Sequence, residues 1–68
     1  MTQGERIIAY MDEHGTITPF EAFTELGITK LATRISELRR GGERIEKKYV
    51  TNTNRFGEKV TYMEYSRA

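Results

Sequence analysis

The stretch Thr29-Lys30-Leu31-Ala32-Thr33-Arg34-Ile35-Ser36-Glu37-Leu38-Arg39-Arg40 decides how the rest of the chain is read. Leu31, Ile35 and Leu38 recur at i, i+4 and i+7, which on a helix forms one apolar stripe. Lys30, Thr33, Arg34, Glu37 and Arg40 spread over the other side. Thr29 supplies an N-cap, and no Gly or Pro interrupts the run. Gly41-Gly42 ends it just past two arginines that suit the negative end of the helix dipole. The stretch reads as a helix with a buried seam and a polar, mainly basic face.

Upstream, Thr2-Gln3-Gly4-Glu5 has the spacing of a capping box, and Ile7, Ile8 and Met11 follow as an apolar face flanked by Ala9 and Tyr10. A first helix is expected from about Gln3 to about Glu13, stopped by Gly15, with His14 interacting with the terminal carbonyls. Thr16-Ile17-Thr18 is a short β-prone link. Thr18-Pro19-Phe20-Glu21 then combines an N-cap, a proline at the first helical position and a glutamate at the third, a strong helix start. This second helix should run to Glu25 or Leu26, with Phe20, Phe23 and Leu26 buried and Ala22 small enough to admit a neighbouring helix. Gly27 breaks it, and the apolar Ile28 implies that the turn before Thr29 packs on a core. Two short helices joined by a Gly-containing turn make a helix-turn-helix unit.

Downstream the period changes from helical to alternating. Residues 44–51 (Arg-Ile-Glu-Lys-Lys-Tyr-Val-Thr) and 59–65 (Lys-Val-Thr-Tyr-Met-Glu-Tyr) are rich in β-branched and aromatic side chains and should pair as an antiparallel hairpin. Between them, residues 52–58 form a polar, glycine-containing segment expected to be a protruding, mobile loop that carries Arg55. Ile45 with Tyr49, and Met63 with Tyr65, are taken as the face toward the helices. Residues 66–68 read as a frayed tail.

At 68 residues the chain makes one domain, 1–68. A chain of that size buries only about 60% of the surface exposed when unfolded, which leaves little room for an enclosed active site. It has no cysteine, so no disulfide framework or cysteine–zinc site is available, and this fits a reducing cytoplasm. No apolar run approaches membrane-spanning length. The lone histidine has no nucleophile or second metal ligand nearby, and Asp12-Glu13 reads as a solvated helix end; no catalytic residue, metal or cofactor is expected. Gly41-Gly42 lacks the following Lys-Ser/Thr of a phosphate loop. The net charge of +1 conceals an asymmetry: residues 1–28 hold one cation against five carboxylates, residues 29–68 ten cations against five. Such a chain can turn one side to a polyanion.

Three helices, a Gly-containing turn, the string Thr33-Arg34-Ile35-Ser36-Glu37-Leu38-Arg39-Arg40-Gly41 and a β-hairpin together resemble the winged helix-turn-helix family, in particular short stand-alone proteins of bacteriophages and prophages. The resemblance covers about Gln3 to Tyr65. It implies an α+β fold and a DNA-binding module with its third helix in the major groove and its wing on the backbone or minor groove, without transferring a target sequence or a regulatory role; the reading taken from the whole chain is a sequence-specific duplex-DNA-binding regulator or accessory factor. The residues agree, because base edges are read by short polar or forked side chains near a helix N-terminus. Thr33 and Arg34, with Ser36 and Glu37, are the candidate base readers. Thr29, Lys30 and Arg40 on the helix and Lys47, Lys48, Arg55 and Lys59 on the hairpin are the candidate backbone contacts. Arg34 has an alternative as an ion pair with an acidic residue of the first or second helix, and for Glu37 the favoured reading is a pair with Arg34 three residues before it, which orients the arginine without touching DNA. The competing reading is a protein-binding module whose Tyr49, Phe56, Tyr62 and Tyr65 meet a second copy or a host protein.

Overall fold

The computed structural model describes residues 1–68. In chain order it contains α1 (Gln3–His14), β1 (Thr16–Ile17), α2 (Pro19–Leu26), α3 (Leu31–Arg40), β2 (Ile45–Thr53) and β3 (Lys59–Arg67). Both capping boxes are formed. Thr2 Oγ1 accepts from Glu5 N at 3.1 Å while Glu5 Oε1 accepts from Thr2 N at 2.8 Å. Hydrogen bonding to the carboxylate from the Thr2 backbone amide, and then from the Thr2 side chain, holds the Glu5 carboxyl below its ordinary value of 4.5, because it favours the ionised form. Thr18 and Glu21 reproduce the arrangement at 3.2 and 3.0 Å. Gly15 and Gly27 end α1 and α2 at φ 91° and 69°, where a side chain would be strained.

α3 starts later than the sequence suggests. Thr29 does not cap it: Lys30 occupies the cap position, with no side-chain hydrogen bond. The cause lies in the preceding turn. The Ile28 amide donates to Ala22 O at 2.9 Å, and the Ile28 side chain is fully buried. This anchor fixes the turn and leaves Thr29 in an exposed bend. The leading amides of α3 therefore lack a side-chain acceptor from within the chain.

The core comprises Ile7, Met11, Ile17, Ala22, Ile28, Leu31, Ile35, Ile45 and Tyr65, with Ile8, Tyr10, Leu26, Leu38 and Met63 packed around it. No polar or charged residue is buried. Phe20 and Phe23, expected here, are 75% and 59% exposed. Helix α2 instead turns the adjacent Ala22 and Leu26 inward, since a small residue lets the helices approach closely. Gly4 does the same on α1, where an added Cβ would lie 3.1 Å from Leu38 Cδ2.

Thr16-Ile17 is more than a link, because it pairs with the end of β3 (Thr16 with Ser66, Ile17 with Tyr65) in a three-stranded antiparallel sheet of order β1-β3-β2. This corrects the expectation of a frayed tail: Ser66 and Arg67 are ladder residues, and the Ala68 amide donates to Arg44 O at 3.0 Å. An isolated hairpin is marginal in water, and the third strand with the helices beneath is what fixes its base. Strands β2 and β3 pair over nine residues each, from Ile45 opposite Arg67 to Thr53 opposite Lys59. At about 3.3 Å per residue the hairpin is about 30 Å long, so it sets the 39 Å long axis of a molecule otherwise 22 × 21 Å across.

Candidate nucleic-acid interface

Helix α3 has ten residues, and successive positions lie about 100° apart around it. Leu31 and Ile35 are buried and Leu38 is partly so. Thr33, Ser36 and Arg40 lie opposite that seam and are exposed, with Ala32 and Glu37 to either side. Arg40 takes part in no ion pair. Arg34 lies at the flank instead, beside Thr2, Gln3 and Gly4 at the start of α1, and donates through Nη1 to Glu37 Oε1 at 2.6 Å. The i, i+3 pair named for Glu37 is thus formed, whereas no carboxylate of α1 or α2 pairs with Arg34, and its buried Nε finds no partner in the chain. Arg39 leaves the outward face altogether. Its Nε and Nη2 donate to Ile45 O at 3.0 and 2.7 Å, tying the end of α3 to the root of the hairpin. No sequence signal marks this role, because the acceptor is a backbone carbonyl six residues on.

The pleat of the hairpin sorts its side chains into two unlike faces. Residues directly opposite in an antiparallel ladder share a face, so Ile45, Lys47, Tyr49, Thr51 and Thr53 lie with Arg67, Tyr65, Met63, Thr61 and Lys59. This is the face that packs on the helices at its root, where Ile45 and Tyr65 are buried. Met63 and Tyr65 meet the expectation; Tyr49 lies on the expected face but is not covered, being 74% exposed. Past the core this face carries Lys47, Lys59 and the hydroxyls of Thr51, Thr53 and Thr61, and no carboxylate. The reverse face holds both strand glutamates, Glu46 and Glu64. Lys48 belongs there and pairs with Glu64 at 3.5 Å. The threonine stripe was legible from strand parity once Ile45 was placed inward, but residue type alone did not single it out.

Residues 54–58 make a tighter tip than the seven-residue loop expected. Asn54 organises it: its Oδ1 accepts from Phe56 N at 2.9 Å and Glu58 N at 3.0 Å, its N donates to Glu58 O, and its O accepts from Gly57 N at φ 78°. Arg55 projects from the tip, its guanidinium carbon 5.8 Å from the centroid of the exposed Phe56 ring.

Of the five carboxylates in residues 1–28, three gather near Tyr10. Partial burial, then the carboxylates of Glu21, Glu25 and Glu13, push the Tyr10 hydroxyl above its ordinary value of 10, and it donates to Glu21 Oε2 at 3.3 Å. His14 stacks on Tyr10 with ring centroids 4.3 Å apart. Arg67 bridges Asp12 and Glu43 at 2.9 and 3.2 Å, closing the root of β3 onto α1. No helix is long and apolar enough to cross a membrane.

A recognition-type helix following a Gly-containing turn, with a pleated wing beside it, is the architecture of a DNA-binding domain. The chain matches the family model of the winged helix-turn-helix domain over residues 2–67 and belongs to that family, whose members are in general DNA-binding modules rather than enzymes. No curated protein and no solved structure matches it.

Proposed function

We propose that the chain is a sequence-specific duplex-DNA-binding protein, a small regulator or accessory factor, which lays α3 in the major groove and its hairpin on the backbone and adjacent minor groove. The observation that carries this reading is the carboxylate-free face of the hairpin, continuous with the side on which the helices pack. Thr33 and Ser36 are aimed at base edges. Arg34 and Glu37 act as a hydrogen-bonded unit at the flank of the groove, Glu37 orienting the guanidinium. Lys30, Arg40, Lys47, Arg55 and Lys59 hold phosphates, none of them engaged by an acid within the chain. The uncapped first turn of α3, with Thr29 beside it, offers further amide donors to a phosphate. Lys48 drops out of this set because it faces away and is paired.

Binding to random duplex DNA at several salt concentrations tests the reading. Five phosphate contacts correspond to a slope of log affinity against log salt of roughly −4 to −5. A flat response, or no duplex affinity at low salt, defeats it. A lone domain offers a modest footprint, so tight binding calls for a second copy or a partner protein. Phe20 and Phe23, exposed side by side on α2, are two of the large apolar side chains available for that contact, and sedimentation of wild type against Phe20→Ser checks them for a homodimer.

A further inference from the structure

We infer that the tip of the hairpin is a wedge: Phe56 enters between neighbouring base steps from the minor groove and unstacks them, so that the protein bends the duplex it binds. This rests on the duplex-DNA reading above and adds a deformation to it.

Four observations converge on Phe56. The ring is 76% exposed at the far end of the molecule and belongs neither to the core nor to the residues packed against it. The tip does not need the ring for its shape, because Asn54 holds the turn through its own carbonyl, amide and side-chain oxygen. The Phe56 amide is one of the groups so held, which fixes the backbone from which the ring projects before any contact is made and lowers the ordering cost of insertion. Finally, the ring is rimmed by cations. Arg55 lies over it, Lys59 opens β3, and Glu58, the tip's one carboxylate, is engaged by Asn54 Nδ2 at 3.3 Å.

An exposed aromatic within a cationic rim fits a polyanion with apolar surface between its charges, and stacked bases provide that surface. The minor groove is about 6 Å wide, too narrow for a two-stranded ribbon but open to single side chains from a five-residue tip. Proteins that bend DNA from this groove insert apolar side chains between base steps while neighbouring cations hold the flanking phosphates. Pyrimidine–purine steps unstack most easily and are the expected point of entry.

The test uses duplexes with 2-aminopurine at successive steps, end-labelled for energy transfer. Wild type, Phe56→Ala and Phe56→Leu are compared at one low salt concentration. Wild type is expected to raise 2-aminopurine fluorescence at one step and to shorten the end-to-end distance. Phe56→Ala should lose both signals while still binding with the unchanged salt slope, and Phe56→Leu, which keeps an apolar wedge, should retain them in part. Circular dichroism controls for folding. Duplex bound by wild type with every step still stacked overturns the wedge alone, as does Phe56→Ala that unstacks like wild type, the outcome expected if the ring serves a protein partner. Absence of duplex binding overturns the wedge together with the DNA reading.

Discussion

Helix α2 allows a direct test of which residues hold this domain together. Its sequence offers two overlapping apolar stripes, Phe20-Phe23-Leu26 and Ala22-Leu26, and the structure selects the second. Phe20 is 75% exposed, so about a quarter of a phenylalanine's ~200 Å² is buried, worth at most about 1 kcal/mol at 25 cal/mol per Å². Alanine's better helix propensity returns about 0.5 kcal/mol of that. Phe20→Ala should therefore change stability by less than about 1 kcal/mol, against the roughly 3–5 kcal/mol lost when a core phenylalanine is truncated. Ala22 has no exposed surface. Ala22→Leu adds three carbons where α1 and α2 meet and should cost about 1–3 kcal/mol through overpacking. At about 4–8 °C per kcal/mol for a domain of this size, the two variants should differ by about 5–20 °C in Tm. Thermal melts followed by circular dichroism read the difference. A Phe20→Ala protein destabilised by 3 kcal/mol or more, or an Ala22→Leu protein that melts like wild type, would refute the assigned phase of α2.

Three further outcomes are expected. Ile35 is 1% exposed under α3, so Ile35→Ala should cost about 2–5 kcal/mol out of the roughly 3–10 available to 68 residues, visible as an earlier urea midpoint and as DNA binding lost through unfolding. Lys47→Ala should make the salt slope shallower by about one unit, whereas Lys48→Ala should leave it unchanged; equal effects from the two would show that the wing faces are misassigned. Glu5, whose folded value is depressed, contributes stability that is present above its unfolded value near 4.5 and is lost as pH falls through the folded value. Glu5→Gln, which keeps an acceptor but cannot titrate, should flatten that part of the acid-denaturation curve.

How far the sequence reveals the structure depends on the reach of the interaction involved. The capping boxes at Thr2-Glu5 and Thr18-Glu21 are complete within four residues, and the glycine stops after them are equally local, so α1 and α2 begin and end where the sequence places them. Thr29 shows the limit. It has the right residue type for a cap, yet Ile28, held by its amide to the carbonyl of Ala22 six residues back and by burial of its side chain, determines where α3 can begin, and that depends on a pocket built by other elements. The Thr16–Ser66 pairing joins residues fifty apart, and neither partner carries a local mark of the other. A two-residue strand is invisible without its neighbour.

The candidate site shows the same division within a single dipeptide. Lys47 and Lys48 are identical in type and adjacent in sequence, so charge counting treats them alike. The pleat sends one toward the side of the helices, opposite Tyr65 and between Ile45 and Tyr49, and the other to the reverse face against Glu64. What chooses between them is Ile45, whose burial at the root fixes parity for every residue outward along β2. A slip of one residue in the β2–β3 register would exchange the two faces of β2, placing Glu46 and Lys48 on the side of the helices and turning Lys47 and the threonines away. Arg39, which binds the carbonyl of that same Ile45 from the end of α3, and Arg67, which ties the opposite strand to Asp12 and Glu43, hold the register at the position where a slip would begin. If that face binds DNA as proposed, these two arginines support it by holding the register of the strands that present it.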